Sequence, residues 1–169
     1  STLHDTLAAG DVQLAQGYIQ LKGYYLDVYA LTARGEYLDL RVAEVGLARY
    51  PAAAAEKRAV FTVSGGGPAP VPMGTRFSTS EDTDALTYII TGVYTNDDGQ
   101  TVPGSYRLTC ETPGAHGNDY VGPLIPITYL TGVATATMDE LLVPARDEET
   151  DEALLARYIE YVNTPPFGG

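Results

Sequence analysis

Residues 110–138, CETPGAHGNDYVGPLIPITYLTGVATATM, are the stretch on which the fold turns. They read as the end of a strand, a glycine-rich loop through Pro113, Gly114, Gly117 and Asn118, and then strands around 124–128 and 133–138. Glycine belongs where the backbone turns tightly, and the flanking apolar residues alternate for burial. The stretch holds no nucleophile–base pair, metal-ligand cluster or phosphate-cradling motif. Its patterning serves shape rather than chemistry.

Upstream, the period of two begins at Arg58. Residues 60–63 form a strand, followed by Gly65-Gly66-Gly67 and a proline-spaced loop. Val71-Pro72-Met73-Gly74 fits a β-turn with proline second and glycine fourth. Residues 75–79 and 86–91 continue as strands rich in β-formers, Asn96-Asp97-Asp98-Gly99 is a turn, and Tyr106, Leu108 and Cys110 mark the next strand. Downstream, Thr150 is an N-cap for a helix whose apolar face carries Leu154, Tyr158 and Tyr161 beside Leu155, Ile159 and Val162. Asp151 and Glu152 complement its positive end.

The first 50 residues follow another period. Leu7, Leu14, Leu21 and Val28 recur every seven residues, with Tyr18 and Tyr25 four positions after Leu14 and Leu21. That spacing predicts a long amphipathic helix over 3–32, interrupted by Asp11, Gly10, Gly17 and Gly23. A helix of about 28 residues is roughly 42 Å long, more than a domain of this size covers alone. Leu7, Leu14, Tyr18, Leu21, Tyr25 and Val28 are therefore a candidate protein interface, the inner seam of a bundle with other chains. A shorter helix follows over 36–45, capped near Gly46. The expected fold is α+β: N-terminal helices over 1–50, a mainly antiparallel β-rich domain over 58–169, and a closing C-terminal helix.

The 169 residues carry 10 basic and 22 acidic groups, net −12. The acid gathers toward the end: residues 1–60 hold 6 basic and 7 acidic groups, 61–138 hold 2 and 7, and 139–169 hold 2 and 8. Such a surface repels a phosphate backbone, which excludes nucleic acid as a partner. No apolar run reaches the roughly 20 residues that span a bilayer. The single Cys110 has no partner for an internal disulfide and alternates as a core residue. The acidic run 147–152 lacks the spacing and glycine of a calcium loop, and His116 has no sequence partner as a catalyst. No metal or cofactor is expected. Thirteen tyrosines and no tryptophan fall mainly on apolar faces, which points to core. The abrupt ends predict a piece of a longer protein.

Four stretches, taken in order, resemble the baseplate J-like family of contractile phage tails and related injection machines. Residues 35–39 with Ala43-Glu44-Val45-Gly46-Leu47-Ala48-Arg49-Tyr50-Pro51-Ala52 are similar to its segment ending in G-x-x-R-x-P-A. Val71-Pro72-Met73-Gly74-Thr75-Arg76-Phe77 is similar to its V-P-x-G-T-x-F turn. Gly114-Ala115-His116-Gly117-Asn118 through Gly132-Val133 resembles its G-x-x-G-N…G-V region, and 147–152 with Leu155 and Arg157 its acidic helix start. The chain departs at Ala156-Arg157-Tyr158, where a more basic run is expected, and has no counterpart of the family's C-terminal portion. The resemblance implies a non-enzymatic wedge protein of the virion, assembled in the host cytoplasm, that links wedges into a ring around the tail hub. Its implied partners are other wedge and hub proteins, including copies of itself. The alternative is a carbohydrate-binding or adhesin module presenting tyrosines and residues 96–99 to a sugar; a hydrolase built on His116 is a third reading.

Overall fold

A computed structural model describes residues 12–13, 18–21 and 24–164, with side chains from Tyr29 to Thr164. The chain divides into two compact units, 1–50 with 149–169, and 51–148.

In the first unit, strands β1 (Val12–Gln13), β2 (Tyr18–Leu21) and β3 (Tyr24–Asp27) form an antiparallel sheet in that order, followed by helices α1 (Val28–Thr32) and α2 (Glu36–Ala43). Over 12–13, 18–21 and 24–27 the long helix expected for 3–32 is thereby corrected to strand, while Val28–Thr32 is helical. Leu21 pairs with Tyr24 in a hairpin, and Tyr18, Leu21 and Tyr25 lie in strands, where a seven-residue spacing defines no seam. Tyr18-Ile19 and Tyr24-Tyr25 are strong β-formers and Gly23 is a poor helix former, so local propensity overrides the heptad count. Val28 opens α1. Leu7 and Leu14 lie outside the described residues.

Helix α2 ends where Leu47 N–H donates to the Val42 carbonyl at 3.1 Å, at the expected Gly46 cap. The C-terminal helix α3 (Asp151–Asn163) begins as expected, Thr150 Oγ1 accepting from Ala153 N–H at 3.2 Å. Leu38 and Val42 of α2 meet Leu154 and Tyr158 of α3 and Ala30 in one small core. Tyr161, expected on the apolar face, is exposed.

The second unit is a single antiparallel sheet of β4 (Glu56–Thr62), β5 (Arg76–Ser78), β6 (Thr87–Thr95), β7 (Thr101–Cys110), β8 (Gly122–Pro123), β9 (Ile125–Pro126) and β10 (Thr135–Val143). The spatial order is β8-β10-β4-β7-β6-β5-β9. Strands β8 and β9 sit at opposite edges of the sheet, yet only Leu124 separates them in the chain. One short segment therefore joins both edges, and the sheet curls into a nearly closed barrel. Leu124 N–H donates to Ala136 O (2.8 Å) on the β10 side, and Ile127 N–H to Arg76 O (3.0 Å) on the β5 side.

Inside lie Ala59, Phe61, Phe77, Tyr88, Ile90, Leu108, Cys110, Leu124 and Met138. The Phe61 and Phe77 rings meet at 5.0 Å, and Phe61 meets Tyr106 edge-on at 5.6 Å. Burial of each large apolar side chain among them stabilises by about 1.5–3 kcal/mol.

The turn before β5 is shifted by one residue from expectation. Thr75 N–H donates to Pro72 O, placing Gly74 third in the turn at φ 83°, a conformation that favours glycine. Gly104 of β7 is more constrained. Its φ is 74°, and a Cβ there would lie 2.8 Å from both Phe61 O and Pro68 Cβ. Gly104→Ala is expected to destabilise the chain by at least about 2 kcal/mol, whereas Gly99→Ala, in open space at positive φ, costs about 1 kcal/mol. Denaturant unfolding of both variants checks the ordering.

Candidate functional site

The family-like motifs mark two networks, one in each unit. In the barrel, the 3-10 turn Ala115–Asn118 is seated against β4 and β7. Gly117 is there for closeness: a Cβ would fall 3.1 Å from Ala55 Cβ and 3.3 Å from Cys110 Cβ. Tyr88 hydroxyl donates to Gly117 O at 2.7 Å, and burial pushes that phenol's pKa upward. The Asn118 amide pairs with the Ala145 backbone both ways, donating to its carbonyl at 3.0 Å and accepting from its N–H at 2.6 Å. Asp147 accepts from Ala115 N–H at 2.8 Å.

Beneath this turn lies Lys57, fully buried in β4. Its ammonium donates to the Asn118 carbonyl at 3.1 Å and to the Tyr120 carbonyl. Burial lowers its pKa, and the nearby Asp119 charge works in the opposite sense. A buried charge is tolerated only when such partners replace its water.

In the other unit, Arg49 donates to Asp39 (2.8 Å), Asp151 (2.6 Å) and the Glu149 carbonyl (2.7 Å). Arg157 forks onto Glu149 at 2.7 and 2.8 Å, donates to Ala48 O at 2.6 Å, and stacks 3.9 Å over the Tyr50 ring. Glu149 also accepts from Tyr50 N–H at 3.2 Å, and Asp151 from Gly35 N–H at 3.2 Å. Bidentate charge-assisted pairs of this kind exceed ordinary surface ion pairs in strength and geometric specificity. The residues of the G-x-x-R-x-P-A segment and of the acidic helix start are therefore partners. Helix-dipole compensation alone, the expected role of Asp151, is completed by an arginine.

These groups hold backbone rather than offer themselves to a substrate. His116 is exposed, and Asp147 beside it is engaged by the turn. Among the described residues, no three His, Cys, Asp or Glu side chains gather at metal-ligand spacing, and no helix is long and apolar enough to cross a membrane. Cys110 faces the core as expected. The tyrosines depart from expectation: Tyr88 and Tyr158 are buried, but Tyr29, Tyr37, Tyr50, Tyr129 and Tyr161 are exposed. Of the candidate interface residues, Tyr18 and Leu21 share β2, Tyr25 lies in β3 and Val28 in α1. Sequence reasoning missed Lys57, Arg49 and Arg157 as anchors. The parity of Lys57 with Ala59 and Phe61 was the available signal for the first.

The Arg157 hydrogen bond holds the Glu149 carboxyl below its ordinary value of 4.5, and the Arg49 hydrogen bond holds Asp151 below 3.8. The folded chain thus binds fewer protons than the unfolded chain in acid. Stability from both groups is complete above about pH 5 and is lost as pH falls through the lowered values. Thermal unfolding midpoints measured from pH 6 to about pH 3 are expected to fall, with a shallower acid limb in Glu149→Gln. At neutral pH that variant loses about 1–3 kcal/mol through its half-empty arginine fork.

Comparison with known proteins meets this geometry. The model of the baseplate J-like protein barrel domain matches residues 59–142, from within β4 to within β10. Phage-like element PBSX protein XkdT of Bacillus subtilis (strain 168) is 36% identical over 164 residues, 96% of this chain and 41% of that protein. The uncharacterized protein YqbT of the same organism is 33% identical over the same shares. The chain thus spans about two fifths of the length of these relatives. From β4 to β10, the chain thus carries the barrel domain of the baseplate J-like family.

Proposed function

We propose that the chain is a structural component of the baseplate wedge of a contractile phage tail or related injection machine. It links wedges into a ring around the tail hub, in the virion, after assembly in the host cytoplasm. The observation that carries this reading is the coincidence of the family's barrel model with the nearly closed sheet. The phage-element relative supports the same setting. Its partners are other wedge and hub proteins, including copies of itself. The segment carrying Leu7, Leu14, Tyr18, Leu21, Tyr25 and Val28 is proposed as one meeting surface, and residues 1–50 as the partner-facing part. The work is mechanical and non-enzymatic: interfaces hold one arrangement before contraction and another after it. Of the turn residues that a sugar would meet, Asn96 is engaged locally, its Oδ1 accepting from Asp98 and Gln100 N–H.

Imaging the assembled tail particle tests this directly. Barrel density in a ring around the hub is the expected result. A particle complete without the chain, or with it only at a distal fibre, overturns the proposal.

A further inference from the structure

The barrel-closing segment carries an exposed apolar strip. Ile125, Ile127 and Tyr129 fall at alternate positions with 38%, 46% and 90% of their surface exposed, and Val121 has 62%. Single exposed apolar residues are ordinary, but four within the nine residues 121–129, around the two closing strands, mark a contact surface. Strand β9 is the last of its sheet, so main-chain pairing with another strand is one possible use of this edge. Pro126 argues against that use, because it has no N–H to offer a ladder. Contact here is made by side chains.

Charge selects the partner. Residue Ser78, opposite Ile125, leads directly into the loop 79–85. With Tyr120, that loop lines a concavity of about 650 Å³ containing Glu81, Asp82 and Asp84 and no basic residue. The barrel unit, residues 51–148, carries 5 basic and 12 acidic groups. The basic ones are engaged internally: Lys57 with carbonyls, Arg58 with Asp139 and Glu140, Arg76 with Glu111, Arg107 with Glu56, and Arg146 with Pro51 O. A second copy docked on the same face would bring acid against acid, which is costly. We propose that Val121, Ile125, Ile127 and Tyr129, with the acidic concavity beside them, dock a partner protein that presents apolar side chains next to lysine or arginine.

The inference rests on the reading of the chain as a member of a multi-protein assembly. Its test reads the surface alone, so failure would leave the particle-imaging result standing. The full chain is titrated by NMR with synthetic peptides of alternating leucine–lysine, leucine–glutamate and glycine–lysine. The leucine–lysine peptide is expected to shift resonances of residues 121–129 and 80–84, and the others to shift them weakly. Ile127→Ser with Tyr129→Ser is expected to weaken binding about tenfold or more while leaving unfolding stability unchanged. Glu81→Gln with Asp82→Asn and Asp84→Asn should weaken it and flatten its salt dependence. Shifts mapping elsewhere, or equal binding of the leucine–glutamate peptide, overturn the proposal. So does concentration-dependent dimerisation through the strip, or shielding of Tyr129 from a soluble paramagnetic agent by another part of the chain.

Discussion

The buried Lys57 ammonium is the contact on which the barrel depends. It reaches from the inward face of β4 to the carbonyls of Asn118 and Tyr120, at the entry to the segment that closes the sheet. The two strands it introduces are too short to hold two edges by themselves, at two residues each with a proline in both. What the ladder lacks is supplied by side chains: the Lys57 tie, the Leu124 peg in the core, and the Asn118 and Tyr88 hydrogen bonds that fix the preceding turn. Leaving such a charge without its carbonyls would cost several kcal/mol, so turn, tie and closure stand or fall together.

Much of the barrel was legible in the sequence for a simple reason. Burial alternates along β4 and β6, and such half-burial writes a period of two into the residues. Asn96–Gly99 and Thr150 were legible because turns and caps are local, satisfied within a few residues. Closure was not legible. Gly122-Pro123-Leu124-Ile125-Pro126 is too short for periodicity, and the fact that it bridges both edges is a property of the whole sheet. The pairing of Arg49 with Asp151 spans 102 residues and leaves no local trace. Helix was expected over 18–27 for the opposite reason: a regular count of leucines and tyrosines is compatible with two backbones, and the aromatic and β-branched content of 18–27 favoured the strand.

The motifs shared with the baseplate J-like family resolve into physical jobs. The V-P-x-G-T-x-F turn sets Gly74 at positive φ and delivers Val71 and Phe77 to the core. The G-x-x-G-N stretch seats the turn above Lys57, and the arginine of G-x-x-R-x-P-A forks between two carboxylates. None of these jobs is catalytic in character. They fix geometry, the property that the proposed structural role requires, and the exposed apolar and acidic surfaces lie outside them.

The claim that Lys57 secures the barrel-closing segment is tested most directly by native-state hydrogen exchange at the Leu124 and Ile127 amides. In the wild-type chain both are expected to be protected, and in Lys57→Met to lose protection while amides of the β4–β7 ladder keep theirs. Rapid exchange at both positions already in the wild type, or unchanged protection in Lys57→Met, would contradict the account.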